Sequence, residues 1–157
     1  HKDTRKIMNR MIMAIDPDSD KSGVALIEDK YMRLACMTFA DLLTAIEYTS
    51  AIIYIEAGWL ISHNWHTKLG ESASVSAKKG YAVGRNHETG RKIEEICKHF
   101  GKECHLIKSL RKCWKGADKK ITNEEFQRIA KMRGIKVTKA RTNQEERDAG
   151  LIALTRW

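Results

Sequence analysis

The stretch Met11-Ile-Met-Ala-Ile-Asp16-Pro-Asp-Ser-Asp-Lys-Ser-Gly23-Val-Ala-Leu-Ile-Glu28 decides how this chain folds. Met11 to Ile15 is a continuous apolar run, the pattern of a strand buried on both faces. Asp16-Pro17-Asp18-Ser19 breaks it with a turn, because proline fixes φ and the Asp and Ser side chains bond nearby backbone. Ser22 to Glu28 then reads as a second strand. Asp16 is the residue that demands an explanation. A carboxylate closing a buried strand is costly unless something cationic sits beside it.

Outward from this stretch, Glu28-Asp29-Lys30 turns the chain into a third strand, Tyr31 to Met37, completing a meander. Phe39 to Tyr48 has helical spacing. Ala51 to Glu56 is a fourth strand, and it too closes on a carboxylate, Glu56. From Glu71 to Phe100 the pattern is helical, with Ile93, Ile96, Cys97 and Phe100 on one face and Gly101 placed as C-terminal cap. Gly80, Gly84 and Gly90 weaken that helix in isolation by ~1 kcal/mol each, so something, sheet or phosphate backbone, approaches closely there. Cys104 to Ile107 is a fifth strand. Thr122-Asn-Glu-Glu125 and Thr142-Asn-Gln-Glu145 both fit the capping box that starts a helix. The last helix points Ala149, Ile152 and Ala153 inward. The expectation is one α/β domain over residues 1–157, a five-stranded mixed sheet flanked by helices, with residues 1–10 an extension of no functional weight.

The composition, 42% hydrophobic and 31% charged over 157 residues, fits a globular domain with one sizeable core. The balance of 29 Lys and Arg against 20 Asp and Glu, net +9, points to a polyanionic partner. Clustered cations gain affinity by releasing counterions from a nucleic acid backbone. Charge does not choose between DNA and RNA. Lys78, Lys79 and Arg85 follow Glu56, and Lys108, Arg111, Lys112 and Lys115 follow the fifth strand, with Trp114 among them. They are expected to position a duplex by phosphate contacts.

Four cysteines, Cys36, Cys97, Cys104 and Cys113, form neither a CxxC pair nor a disulfide framework, which fits a reducing compartment. With no signal-peptide pattern and no apolar run near ~20 residues, a cytoplasmic location and no membrane partner are expected. His63-x-x-His66 and the Cys97, His99, Cys104, His105 group have zinc-like content without the spacing of a zinc module. No Ser/His or Cys/His nucleophile motif is present.

Two-metal phosphoryl chemistry needs several carboxylates converging on one point, and Mg²⁺ suits such all-oxygen sites. Asp16 and Glu56 end strands whose C-terminal edges are adjacent if both lie in one sheet. Glu145 and Asp148, three apart on the last helix, share a face. Each has a structural alternative: Asp16 as a turn cap, Glu56 as a surface strand end, Glu145 as the capping partner of Thr142. Glu146 replaces Glu145 as ligand if the helix is rotated.

Three segments together resemble the RuvC-type Holliday junction resolvases, in order and from about Met11 to Leu154. Met13-Ala-Ile-Asp16-Pro-Asp-Ser19 through Gly23 is similar to the family's first strand-turn-strand. Ile53-Tyr-Ile-Glu56 is similar to its second motif, and Glu145-Glu-Arg-Asp148-Ala-Gly-Leu-Ile to its closing helix. The resemblance implies a ribonuclease H-like fold, dimeric, that cleaves branched DNA symmetrically with two Mg²⁺ or Mn²⁺ ions. By position it makes Asp16, Glu56, Glu145 and Asp148 metal ligands and Lys119 or Lys120 the active-site lysine. It sets Trp59 where the family stacks an aromatic on junction bases; an interface or core tryptophan is the even alternative. Departures are Asp18 in place of glycine, the extra Asp20, and Glu145 in place of aspartate, features of a divergent, phage-type member. A nuclease for RNA–DNA hybrids and a non-cleaving junction binder remain the other readings.

Overall fold

A computed structural model describes residues 10–60 and 72–157; the His63-x-x-His66 pair and residues 1–9 lie outside the described residues. Strands β1 (Met11–Asp16), β2 (Ser22–Glu28) and β3 (Tyr31–Met37) form the expected antiparallel meander. Its register sets Asp16 opposite Gly23 and Met11 opposite Glu28. Helix α1 (Phe39–Tyr48) leads to β4 (Ile52–Glu56), which lies parallel to β1. Helix α2 (Ala73–His99) leads to β5 (Cys104–Ile107), parallel to β4. Helix α3 (Asn123–Met132), β6 (Lys136–Val137) and helix α4 (Gln144–Arg156) complete the described chain. The strand order is β5-β4-β1-β2-β3-β6.

The sheet has six strands where five were expected. β6 is two residues long, below any alternation that a sequence reveals. It exists because Gly134, at φ +72°, turns the chain out of α3 and Lys136 donates its N–H to the Lys30 carbonyl (2.7 Å). Pairing of Tyr31 with Lys136 and of Met32 with Val137 follows.

β1 is buried on both faces, as its unbroken apolar run requires. Ile12 and Ala14 face a core built with Phe126 of α3 and Ala149, Ile152 and Ala153 of α4. Met13 and Ile15 face a second core with Leu42 and Ile46 of α1 and Ile93 and Cys97 of α2. The sheet is thus the middle of three layers, with α4 against β1, β2 and β3. Ile53, fully buried, marks the scale: its truncation to alanine costs ~3 kcal/mol in packing.

Gly101 caps α2 at φ +65°, and Thr122 with Glu125 forms the expected capping box of α3. The box of α4 is displaced by one residue. Asn143, not Thr142, is the cap: its Oδ1 accepts the Glu146 N–H (2.8 Å) and Glu146 Oε1 accepts the Asn143 N–H (3.0 Å). Thr142 is engaged elsewhere, donating its hydroxyl to Asn123 Oδ1 (2.6 Å) and accepting from Arg147 (3.1 Å). Glu146 is consequently buried, with its second oxygen taken by the Lys139 ammonium. Both its oxygens are occupied, which removes Glu146 as a free ligand and releases Glu145 from cap duty. Among the described residues, no helix is long and apolar enough to cross a membrane.

Candidate active site

Parallel pairing of β1 with β4 sets Ile15 beside Ile55. The next residue of each strand, Asp16 and Glu56, therefore emerges at the same sheet edge, and their side chains are in hydrogen-bond contact. A carboxyl so close to another finds its charged form disfavoured. Asp148, in the second turn of α4, acts on both through space. Burial holds the Asp16 carboxyl well above the usual carboxylate range; the charges of Glu56 and Asp148 and the Glu56 hydrogen bond add to this, and among the described residues the Lys120 ammonium opposes it. Burial also raises Asp148, against the Gln144 hydrogen bond, Lys120 and Lys112, with Glu56 pushing upward.

Helix α4 reaches this edge because β2 carries glycine opposite Asp16. A Cβ at Gly23 would fall on the Glu145 carbonyl, so only glycine lets the first turn of α4 settle there. Glu145 itself is exposed. The structure thus brings Asp16, Glu56 and Asp148 to one edge without closing them into a ready metal-holding group, and leaves the Glu145 side chain exposed near Gly23.

The lysine segment follows β5. Ile107 pairs with Glu56 and accepts the Ala57 N–H (2.7 Å), so residues 108–120 start beside the carboxylates. A cleft of about 60 Å³ opens there, lined by Glu56, Asp148, Arg111, Lys112, Trp114 and Lys120. Of the two candidate lysines, Lys120 faces the acids and Lys119 is exposed. Their separation comes from a tight loop: Trp114 donates to the Lys119 carbonyl and Gly116 to the Lys120 carbonyl, both at 2.9 Å. Asp118 and Lys119 sit at φ +54° and +59°, a left-handed pair of non-glycine residues costing ~1 kcal/mol or more each. Gly116 is required, since a Cβ would meet the Lys120 carbonyl.

The remaining basic residues divide. Arg85 donates to the Ser19 hydroxyl (2.8 Å), and Asn86 accepts the Ser19 N–H (3.0 Å), so α2 steadies the turn after Asp16. Lys78, Lys108 and Lys115 are exposed, and Lys79 is half-buried on α2. Asp18 completes the turn rather than facing the acids: its Oδ1 accepts the Asp20 N–H (2.8 Å).

Trp59 is half-buried against α2. Its ring fills the space above Gly90 next to Pro17, edge-on to His87 (6.2 Å between centroids) and with the Arg91 guanidinium 5.7 Å from it. The close approach signalled by Gly90 is thus that of the Trp59 ring. Gly84 has open space around it.

The zinc-like residues are spent on other contacts. The Cys97 thiol is pushed up, first by its hydrogen bond with Cys104 and then by burial, while the same bond lowers Cys104. His105 contacts Glu103 (3.2 Å) and stacks on Tyr54. Among the described residues, no three His, Cys, Asp or Glu side chains already converge as a metal-holding group. Asp16 and Glu56 instead lie in contact with each other, with Asp148 acting on both through space. Their chemistry fits a hard divalent cation, since the donors at this edge are carboxylate oxygens without sulfur or imidazole.

Gln144 and Arg147 are contacts of this site that sequence reading missed. The Gln144 signal was available: four residues before Asp148, it shares a helix face with it. Arg147 had only a partial one: Gln144 precedes it by three on the same helix, but Ile121 comes from a distant segment.

No protein-family model matches the chain, and no curated protein matches it. Solved structures do match it. The RuvC structure of Thermus thermophilus aligns at a TM-score of 0.54 and 14% identity, covering 92% of each chain. T. thermophilus RuvC in complex with a Holliday junction substrate aligns at 0.52 and 14% identity, covering 94% of this chain and 92% of the other. The sheet order, the flanking helices and this near-complete coverage agree: the chain has the fold of the RuvC resolvases.

Proposed function

We propose that this chain is a divalent-metal-dependent endonuclease of branched DNA, resolving four-way junctions as a homodimer. The observation that carries the reading is the nearness of Asp16, Glu56 and Asp148, from three separate elements, with Glu56, Asp148 and Lys120 lining one cleft. Such a group costs folding energy and stabilises nothing unless a cation joins it. Asp16, Glu56 and Asp148 would hold Mg²⁺ or Mn²⁺, with Glu145 reaching in from the rim. The bound ions supply an activated water and stabilisation of the leaving oxygen.

The chain's own residues do the rest. Lys120 offers fixed positive charge where negative charge develops on the phosphate. Arg111 and Lys112, on the cleft wall, hold the strand by its backbone, and Lys108, Lys115, Lys78, Lys79 and Arg85 extend the basic surface.

The test is cleavage of labelled four-way junction, flap, duplex and RNA–DNA hybrid with Mg²⁺ or Mn²⁺, with Asp16→Asn beside the parent. Symmetric paired nicks in the junction select a resolvase, and hybrid cutting alone selects the other substrate class. Salt-dependent junction binding without cutting in either metal makes the protein a binder. Equal cutting by Asp16→Asn removes the metal-site reading. A monomer at micromolar concentration with and without DNA removes paired incision.

A further inference from the structure

Asp148 is not left to choose its own orientation. Gln144 Nε2 donates to Asp148 Oδ1 at 2.8 Å, one helical turn along the same face of α4. The other end of that amide is fixed in turn, since Arg147 Nη2 donates to Gln144 Oε1 at 3.1 Å. A guanidinium has donors only, so the atom facing it is the amide oxygen and the atom facing Asp148 is the amide nitrogen. Arg147 is itself held at three further acceptors: its Nε donates to the Ile121 carbonyl (3.0 Å), and its Nη1 to the Thr142 carbonyl (2.6 Å) and hydroxyl (3.1 Å). Ile121 directly follows Lys120. One guanidinium therefore ties the backbone of the lysine segment to the amide that orients the carboxylate.

We infer that Gln144, oriented by Arg147, is a positioning residue that occupies one oxygen of Asp148 and presents this carboxylate to a cation through the other alone. The inference rests on the nuclease reading above and deepens it. It bears on which cation is accepted. Mg²⁺ and Mn²⁺ sites are served by one-oxygen carboxylates in a strict octahedron, whereas Ca²⁺ readily takes both oxygens of one carboxylate. Gln144 thus works against the larger ion by keeping Asp148 from engaging with both oxygens. Loss of an orienting hydrogen bond of this kind typically costs 10–100-fold in metal affinity.

The test is calorimetric titration of Mn²⁺ and Ca²⁺ into the parent protein, Gln144→Met and Gln144→Glu, with Arg147→Lys as a second route. Gln144→Met keeps the length and removes the donor. It should weaken Mn²⁺ binding on the order of 10-fold and narrow the preference for Mn²⁺ over Ca²⁺, with an unchanged melting temperature. Gln144→Glu retains a partner for Arg147 but turns an acceptor towards Asp148, and should weaken Mn²⁺ further. Arg147→Lys keeps the charge without the fork and should shift the preference in the same direction. Junction affinity in EDTA should be the parent's in both Gln144 variants, since the basic surface is intact. A folded Gln144→Met or Arg147→Lys with the parent's Mn²⁺ affinity and cation preference overturns the positioning role while leaving the nuclease reading in place. A parent that shows no saturable Mn²⁺ binding overturns both.

Discussion

The two helix starts at Thr122 and Asn143 and the sheet edge that lies near them treat the same chemical group in opposite ways. At the helix starts, each buried glutamate is fully supplied with donors. Glu125 accepts the Lys115 N–H (3.1 Å), the Thr122 N–H (3.1 Å) and the Thr122 hydroxyl (2.9 Å). Burial pushes its carboxyl upward, yet these bonds from Thr122 and Lys115 outweigh it and hold Glu125 below the usual range. Glu146 is matched likewise by the Asn143 N–H and Lys139. At the edge, Asp16 faces two carboxylates, with Lys120 in opposition among the described residues. A supplied carboxylate holds the fold together, whereas an undersupplied one strains it and gains its use from a ligand that the chain does not contain.

The largest effect that would break this contrast is on chemistry. Asp16→Asn should cut junction cleavage by ~10³-fold, equivalent to about 4 kcal/mol, while raising the denaturation midpoint in EDTA. Urea titration beside a timed cleavage assay reads both, and a lowered midpoint would place Asp16 with the structural carboxylates.

Next comes the lysine pair. Lys120→Ala should slow cleavage by ~10²-fold, while Lys119→Ala stays within about twofold, since of the two it is Lys120 that opposes the acids. Single-turnover rates at saturating enzyme separate them, and equal losses would mean the loop rather than the ammonium matters.

At the helix start the signature inverts. Glu146→Ala should lose about 2 kcal/mol of stability, from the cap and the Lys139 contact, with junction affinity retained. Chemical denaturation together with binding titration checks this.

The smallest effect is on pH. An acid whose folded pKa is raised keeps more protons in the native state, so stability falls as pH rises from the unfolded value through the folded one. For Asp16 and Asp148 that window starts at the ordinary aspartate value of 3.8 and extends upward. Glu125 has the reverse sign: its contribution is present above 4.5 and is lost as pH falls through its lowered value. As pH rises above the ordinary aspartate value in EDTA, the parent's midpoint should therefore fall, and that of Asp16→Asn should fall less. Parallel slopes would show that the carboxylate edge carries no such strain.

Where local pattern determines structure, the fold was legible. β2, β3, α1 and β5 have the bounds that alternation, apolar runs and turn residues imply. β6 was hidden, being two residues set by Gly134 and a neighbouring strand rather than by its own pattern. The α4 cap was misassigned because Thr142-x-x-Glu145 and Asn143-x-x-Glu146 satisfy the same rule. Only the tertiary demand of Asn123 and Arg147 on Thr142 decides between them. The shared edge of Asp16 and Glu56 follows once β1 and β4 pair in parallel, but Lys119 and Lys120 are separated only by the left-handed pair at 118 and 119, which no sequence pattern marks.

Gly23 has one more consequence. With no side chain between β2 and the Glu145 backbone, helix and sheet meet as two machined faces, and their spacing has no slack to adjust. Any retuning of the rim must come from the length of the side chain at position 145, not from sliding the helix. A glutamate there, one methylene longer than aspartate, is the adjustment such a fixed joint permits.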